Sequence, residues 1–290
     1  MDSVTFFWTI LATVFAGLHI FAGKIVAHKK LNAAWNNIIT YSIAAPFFFL
    51  CFWASGATIP ALWQQIIVFA LFAGITYGIS AYTRIEALKY IDTVIFFPLS
   101  KIFAPLLTVL GGLFFFSESL TPMNAIGVVL SILVPVLLIQ KAEDTRQKNL
   151  KRGIILMIVS TMMASASVLI AKGALGISNG EIFFYMGAAQ LAGLLTSVIL
   201  LKNEERHSRE RYVHAREDYV YGVISSLIGI ASYVSLIMAL STGQISLVYT
   251  IQAHYIIIPI LLSVWFYKEH MDLRKFIAVI LSMAAIGLLV

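Results

Sequence analysis

Ten apolar segments, each about 20 residues long, follow one another along nearly the whole chain. A helix needs about 20 apolar residues, each adding 1.5 Å, to cross the hydrocarbon core of a bilayer. A segment inside that core must satisfy its own backbone hydrogen bonds, and a helix does so. With 60% hydrophobic and 12% charged residues, the chain is too apolar for a soluble domain of 290 residues. We therefore predict an all-α integral membrane protein. The ten segments cover approximately 4–27, 34–55, 62–83, 93–116, 122–140, 153–173, 181–201, 219–241, 245–267 and 272–290.

The basic residues lie almost entirely in alternate loops. When the segments are numbered in order, 18 of the 20 Lys and Arg lie in or beside the odd-numbered loops. Of the other two, Lys172 lies on the opposite side and Lys101 lies inside segment four. Because cytoplasmic loops carry the excess of Lys and Arg, we predict cytoplasmic odd loops and both termini outside. This pattern explains a pI near 9.3 without a nucleic-acid partner. We expect a multi-pass protein of the cell membrane, plasma or inner.

The second half of the chain repeats the first. A shift of 151 positions pairs Ile79–Ile139 with Ile230–Val290 without a gap, and a shift of 148 pairs the first helices of each half. Apolar matches arise easily in membrane helices, so the polar matches carry the argument. These matches are Tyr82 with Tyr233, Glu118 with Glu269, Ser131 with Ser282 and Lys24 with Lys172.

Each half holds five segments, and this odd number turns the second copy upside down relative to the first. The loop charges agree, because equivalent loops of the two halves carry opposite amounts of Lys and Arg. We predict ten transmembrane helices arranged as two inverted five-helix repeats, 1–140 and 153–290, joined by a cytoplasmic linker, 141–152. Inverted repeats are a recurring plan of secondary transporters, whose substrate site lies near the midplane.

A pattern of proline, glutamate and glycine suggests a family. Pro105 lies in segment four, Glu118 follows at its end, and Gly127 lies in the next segment. The second half repeats this order, with Pro259 one turn late and Ala278 in place of the glycine. Together with the two inverted halves, the chain resembles the EamA-type branch of the drug/metabolite transporter (DMT) superfamily. The resemblance implies an alternating-access carrier of small metabolites, often an exporter of amino acids or related compounds.

Lys101 is a charge at the centre of an apolar segment. At helical spacing Pro98, Lys101, Pro105 and Thr108 share one face, which we predict to look into the helix bundle. An ionisable group inside the membrane indicates a functional site, because it is costly there and faces a bundle interior or a water-filled cavity. The alternative is a structural cation bonded to backbone carbonyls that the prolines leave without a partner.

The repeat places Gln252 at the position equivalent to Lys101, on one helical face with Tyr249. An ammonium and an amide at equivalent depths offer a point charge and hydrogen-bond donors to a carboxylate or phosphate. We therefore predict that these three residues bind the anionic group of a substrate.

Two histidines lie within the apolar segments. His254, near the middle of segment nine, suits a proton-coupled carrier, because histidine exchanges protons near neutral pH. A neutral imidazole bonded between helices explains His254 equally well. His19 in segment one either borders the cavity or packs against neighbouring helices.

Four further polar residues are candidates of second rank. The amides of Asn37 and Gln190 bind substrate or form interhelical hydrogen bonds. Tyr82 and Tyr233, equivalent by the repeat, serve as gates or as anchors at the membrane interface.

Five other residues are predicted to have structural roles. Glu118 lies at a helix end, where we expect it to stabilise a turn or a cap. Lys24 and Lys172 are close enough to the interfaces for their ammonium groups to reach water. Gly74 and Gly78 form a GxxxG pattern, which predicts close contact between helices.

Several kinds of chemistry are missing from the sequence. No Asp or Glu lies deep in any segment, so the carboxylate that an antiporter of organic cations needs is absent. There is one cysteine, Cys51, and no HExxH, GxSxG or Walker motif. We expect no enzyme activity, no catalytic residue, no metal site and no cofactor, with protons as the coupling ion to consider.

We predict a secondary active transporter that exports a small metabolite, an amino acid or another zwitterionic or anionic compound, by alternating access. One alternative is an exporter of lipophilic or aromatic compounds, which the 20 Phe and 12 Tyr favour, and another is a lipid-handling membrane protein. The expected partners are the small-molecule substrate and the lipid bilayer, for a monomer or a homodimer. The predicted substrate-binding residues are Lys101, Gln252, Tyr249, His254, His19, Gln190, Asn37, Tyr82 and Tyr233.

Overall fold

The structure is a computed structural model, and every regular element in its described residues is a helix. It describes residues 1–91, 93–138, 149–175, 179–208, 216–258, 261–262 and 273–290. Pro259, Glu269 and most of the predicted linker 141–152 therefore lie outside the described residues. The prediction of an all-α protein is confirmed for the part described.

A helix lies in each of the ten predicted segments. Directly after α9 the chain winds as a 3-10 helix at His254–Ile256, where the sequence predicted an uninterrupted α-helix. The other boundaries differ from the predicted ones by a few residues, and α7 extends furthest beyond its predicted end. The helices are α1 Ser3–His28, α2 Ala33–Ala54, α3 Trp63–Ala87, α4 Thr93–Phe116, α5 Pro122–Leu137, α6 Leu150–Ala174, α7 Asn179–Ser208, α8 Arg216–Thr242, α9 Ile245–Ala253 and α10 Leu273–Leu289.

The lengths of these helices decide which of them cross a membrane. Seven of the described helices, α1 to α4 and α6 to α8, are long and apolar enough to do so. The helices α5 and α10 are apolar but shorter. Large apolar side chains cover the outer surface, and Trp53 and Phe114 are each 80% exposed. The chain is a multi-pass membrane protein.

Side chains at the first turns explain where several helices begin. Asp2, Asn32, Thr121 and Asn149 each accept a hydrogen bond from the backbone N–H three residues later, at the start of α1, α2, α5 and α6. These N-caps satisfy backbone donors that have no partner within the helix.

The helices pack in pairs drawn from the two halves of the sequence. α1 packs on α8 and α3 packs on α6, while α2 packs on α7, α5 on α10 and α4 on α9. Glycines bring some of these helices close together. A Cβ atom at Gly74 would lie 2.1 Å from the Ala189 carbonyl oxygen, and one at Gly78 would lie 3.3 Å from Thr196. The GxxxG pattern therefore serves close packing of α3 on α7, whereas the sequence predicted close contact between helices without identifying the partner helix.

The end of α8 is held by a lysine from α6. The Lys172 ammonium donates to the carbonyl oxygens of Leu240 and Gly243, at 2.7 Å in each case. These carbonyls have no N–H partner within the helix, and a cation suits the negative end of the helix dipole. Lys172 thus binds the helix end, where the sequence predicted an ammonium reaching for the interface.

The start of α9 is held by a glutamate that follows α4. The Glu118 carboxylate accepts from the backbone N–H groups of Ile245 at 2.6 Å and Ser246 at 3.0 Å, and from the Ser246 hydroxyl. A Cβ atom at Gly112 would lie within about 2.5 Å of both side chains, so glycine makes room for this contact. The predicted capping role of Glu118 is confirmed, and the capped helix belongs to the other half. We call residues 242–246, with these contacts, the α8–α9 corner.

Candidate substrate cavity

A cavity of about 110 Å³, the main cavity, lies in the middle of the helix bundle. Three helices of the first half, α1, α3 and α4, and three of the second, α6, α8 and α9, contribute side chains to it. Its polar lining consists of His19, Tyr77, Ser80, Arg84, Ser100, Lys101, Ser160, Thr161, Ser167, Ser232, Tyr233, Tyr249, Gln252 and Tyr255.

Lys101 projects into this cavity from α4. The side chain is 6% exposed, and its ammonium lies 4.0 Å from the centre of the Tyr255 ring and 5.8 Å from that of Tyr249. Within the described residues, the ammonium donates to no backbone carbonyl and has no carboxylate within 4.0 Å. Contacts with aromatic faces stabilise a cation only in part. Lys101 therefore retains hydrogen-bonding capacity for a ligand, and the alternative of a carbonyl-bound structural cation has no support in these contacts.

The winding of α4 and α9 explains this arrangement. Pro98 and Pro105 lie within α4 on the face of Lys101, and neither supplies a backbone N–H to the preceding turn. Opposite them, α9 changes to 3-10 winding at His254. Gln252 lies at the end of α9 and Tyr255 lies in the 3-10 turn that follows, and both side chains face the cavity.

Arg84 is a second cation in the lining, and the sequence analysis missed it. The predicted third helix ended at residue 83, which placed Arg84 in a loop, whereas α3 continues to Ala87. Tyr77, Ser80 and Arg84 are then three and four residues apart on one face of α3, and all three line the cavity. This spacing was the available signal, and it depended on a boundary that hydropathy alone did not locate.

The charges of the main cavity are all of one sign. Lys101 and Arg84 carry positive charges, and no Asp or Glu is among the described lining residues. Neither cation has an ion-pair partner within the described residues. A ligand with one or two negative charges would supply the missing counter-charge.

Most serine hydroxyls around the cavity already have partners. Ser80 donates to the Ser160 carbonyl and Ser160 to that of Ser80, at 2.8 and 2.9 Å. Ser167 donates to the Ala73 carbonyl at 2.9 Å. These bonds join α3 to α6 and leave specific recognition to the cations, the tyrosines and the amides.

A smaller cavity of about 20 Å³, the side cavity, adjoins the main one. Asn37 and Tyr41 of α2 and Gln190 of α7 line it. His19 and Tyr233 line both cavities. Five predicted residues therefore lie at the main cavity, and the two amides of second rank lie at the side cavity.

His19 is held in a defined orientation at this junction. Its Nδ1 lies 3.1 Å from the Ser225 carbonyl oxygen, which only accepts hydrogen bonds. Nδ1 therefore carries a proton, and Nε2 of the neutral ring remains an acceptor. The sequence left open whether His19 borders the cavity or packs against neighbouring helices, and in the structure it lines the cavity.

His254 and Tyr82 lie away from both cavities. Nε2 of His254 is 2.9 Å from the Ser131 hydroxyl, whose proton goes to the Gly127 carbonyl, so the imidazole is the donor. This bond joins α9 to α5, as in the interhelical alternative for His254. The Tyr82 hydroxyl donates to Glu204 at 2.6 Å, at the ends of α3 and α7.

No metal site is evident in the part of the chain described. No group of three or more His, Cys, Asp or Glu side chains there is arranged to hold an ion. The charges and aromatic rings of the main cavity are suited to binding a small anion.

Comparison with known proteins gives a family match and a structural match. The model of the EamA-like transporter family matches residues 151–290, the second half of the chain. One solved crystal structure superposes with a TM-score of 0.74 at 16% identity, covering 99% of this chain and 98% of that one. At this identity the likeness shows the fold alone. No curated protein sequence matches the chain.

Proposed function

Residues 151–290 belong to the EamA-like transporter family, and on this premise we propose that the chain is a secondary active transporter of a small organic anion. The anionic group, a carboxylate or phosphate, binds between Lys101 and Arg84, with Gln252 as a further hydrogen-bond donor. Tyr249 and Tyr255 cover the apolar part of the substrate. The direction, export, rests on the family resemblance.

The observation that carries this proposal is the charge of the main cavity. An anion gains two counter-charges there, and charge-assisted hydrogen bonds to Lys and Arg are the strong ones. A zwitterionic amino acid would bring an ammonium group next to these cations, with no carboxylate in the described lining to balance it. We therefore propose that the carrier prefers anions over zwitterions. This preference narrows the substrate class that the sequence predicted, which included both.

Alternating access between two inverted repeats is part of the same proposal. The helix contacts map onto one another when the halves are exchanged: α1 on α8 corresponds to α6 on α3, and α4 on α6 to α9 on α1. The contacts of α2 with α7, α5 with α10 and α4 with α9 map onto themselves. Rocking of the halves about these contacts would expose the cavity to either side of the membrane.

The proposal includes an orientation and a candidate for coupling. The loop charges favour cytoplasmic odd loops, in the cell membrane, with both termini outside. If transport is coupled to protons, His19 is the histidine in reach of the substrate, since His254 lies away from both cavities.

The first test is binding of charged compounds to the purified protein. A ligand at about 100 times its dissociation constant adds about 2.7 kcal/mol to the free energy of unfolding, which is visible as a thermal shift. We expect shifts with carboxylates and phosphate esters but not with amino acids or quaternary cations. Lys101→Met and Arg84→Met should each remove most of the shift. Lys24→Met is the matched control, because Lys24 lies in α1 and lines neither cavity.

A second candidate function is export of aromatic compounds. It is favoured by the tyrosine rings at the main cavity, of residues 77, 233, 249 and 255. Thermal shifts with neutral aromatic compounds that persist in Lys101→Met would establish this function and refute the anion carrier.

A further inference from the structure

The side cavity contains two polar atoms without partners. Within the described residues, Nδ2 of Asn37 and the hydroxyl of Tyr41 form no hydrogen bond, although the residues are only 4% and 2% exposed. Both residues line the side cavity. Buried polar groups nearly always have a partner, because leaving one unpaired loses its hydration without compensation. Two unpaired groups at one void therefore indicate a binding site for a hydrogen-bonding group.

Other buried polar atoms without a partner among the described residues, such as Oδ1 of Asn36 and the hydroxyl of Tyr185, belong to residues that do not line this void, so the pair at the side cavity is distinguished by its position. The serine hydroxyls between α3 and α6 are all bonded to backbone carbonyls, as described above. Asn37 and Tyr41 are four residues apart on α2, so they present their polar atoms on one helical face. Gln190 approaches the same void from α7 and adds a third polar side chain. The polar groups thus come from two helices that pack on each other.

The partner for these groups must be small and neutral. A void of about 20 Å³ has room for roughly one water-sized group. Asn37 Nδ2 can only donate, whereas the Tyr41 hydroxyl donates or accepts. A single hydroxyl satisfies both, accepting from Asn37 and bonding to Tyr41. A charged group would find no ionised side chain there, apart from His19 if it were protonated.

The side cavity also adjoins the main one. His19, Tyr77 and Tyr233 line both, so one ligand can extend from the cations to the amides. We propose that the side cavity is a subsite for a hydroxyl group of the transported anion, so that the carrier selects hydroxy acids over acids without the hydroxyl. This inference rests on the proposed function.

The experiment compares acids that differ by one hydroxyl. Dissociation constants are measured from the thermal shift of the purified protein for acetate against glycolate, succinate against malate, and butyrate against its α-, β- and γ-hydroxy derivatives. We expect at least one hydroxy acid to bind about tenfold more tightly than its partner, because the partner leaves the subsite unpaired.

Two variants assign this preference to the subsite. Tyr41→Phe removes one oxygen, and Asn37→Leu removes the donor at similar volume. Each should reduce the preference to about twofold or less, mainly by weakening the hydroxy acid. Tyr41→Phe should not lower the unfolding temperature of the ligand-free protein, since the lost hydroxyl has no protein partner. Tyr185→Phe is the control, because Tyr185 is equally buried and lines neither cavity.

The outcomes separate this inference from the function on which it rests. Binding of acids that Lys101→Met abolishes, without preference for any hydroxy acid, overturns the subsite and leaves the anion carrier intact. A preference that survives in both α2 variants, or that disappears equally in Tyr185→Phe, also overturns the subsite. If no acid binds, or if Lys101→Met binds acids normally, the proposed function fails and the inference fails with it.

Discussion

Two lysines in the membrane helices, Lys101 and Lys172, show how differently the same side chain is used in one bundle. The Lys172 ammonium donates hydrogen bonds to two carbonyl oxygens at the end of α8, each 2.7 Å away. Lys101 is more deeply buried, yet its ammonium contacts the faces of two tyrosine rings. A partnered cation stabilises the fold, whereas a cation without an anionic partner is costly and persists where a ligand supplies the missing charge.

The largest expected effect is on binding at Lys101. Lys101→Met should weaken binding of the anionic substrate about 100-fold, because it removes one partner of a buried charge pair. The free energy of unfolding should stay equal or rise, since an unpaired buried charge is gone. Transport assays in proteoliposomes and thermal unfolding check both parts. A variant that unfolds more readily would mean that Lys101 is a structural cation.

Lys172→Met should show the reverse pattern. It leaves the carbonyl oxygens of Leu240 and Gly243, at the end of α8, without their donor and should lower the free energy of unfolding by about 2–3 kcal/mol. Substrate affinity should change little, because Lys172 lines neither cavity. Unfolding in detergent and ligand titration of the folded fraction provide the two readouts. Equal losses of substrate affinity in Lys101→Met and Lys172→Met would contradict the division into a substrate-binding lysine and a structural lysine.

Glu118 is an anion that, like Lys172, binds a helix end, so its variants test the same structural role with the opposite charge. Glu118→Ala should lower the free energy of unfolding by about 1–2 kcal/mol, the usual effect of losing a helix N-cap. Glu118→Gln keeps one acceptor oxygen but loses the other oxygen and the charge at the helix start, so it should destabilise the fold less than Glu118→Ala while remaining less stable than the wild type. The order of the two variants in thermal unfolding is the measurement. If Gln destabilises as much as Ala, one acceptor oxygen does not cap the helix and both carboxylate oxygens are required.

The smallest effects concern the two histidines. His19→Gln should flatten the pH dependence of transport, because His19 borders both cavities. His254→Gln should keep the pH profile and lower the unfolding free energy by about 1 kcal/mol, through the weakened bond to Ser131. The pH profiles of both variants in the same liposomes are the check. If only His254→Gln flattens the pH dependence of transport, His254 and not His19 is the proton-coupling residue.

Much of this fold could be predicted from apolar length, because the bilayer imposes one solution on each long apolar segment. Boundaries were less predictable, and a difference of four residues at the end of α3 hid Arg84 from the sequence analysis. The 3-10 turn at His254 also escaped prediction, since hydropathy is the same for both kinds of helical winding.

The repeat predicted equivalent positions but not equivalent surroundings. Tyr82 and Tyr233 both lie on a helix that packs against α7 or α2. Tyr82 meets the Glu204 carboxylate there, whereas Tyr233 meets the Phe48 ring at 5.9 Å. The partner residue comes from the other half of the chain, so an offset between halves carries no information about it.

The α8–α9 corner also fixes the depth at which α4 and α9 place their side chains in the main cavity. From Ser246, α9 and the 3-10 turn after it descend nine residues to Tyr255, about 14 Å at roughly 1.5 Å per residue. From Gly112, at the same corner, α4 descends eleven residues to Lys101, about 16 Å. Because Glu118 holds α4 and α9 together at this corner, the Tyr255 ring lies at about the same depth as the Lys101 ammonium. One residue inserted between Ser246 and Tyr255 would turn the ring by about 100° and empty the space beneath the cation.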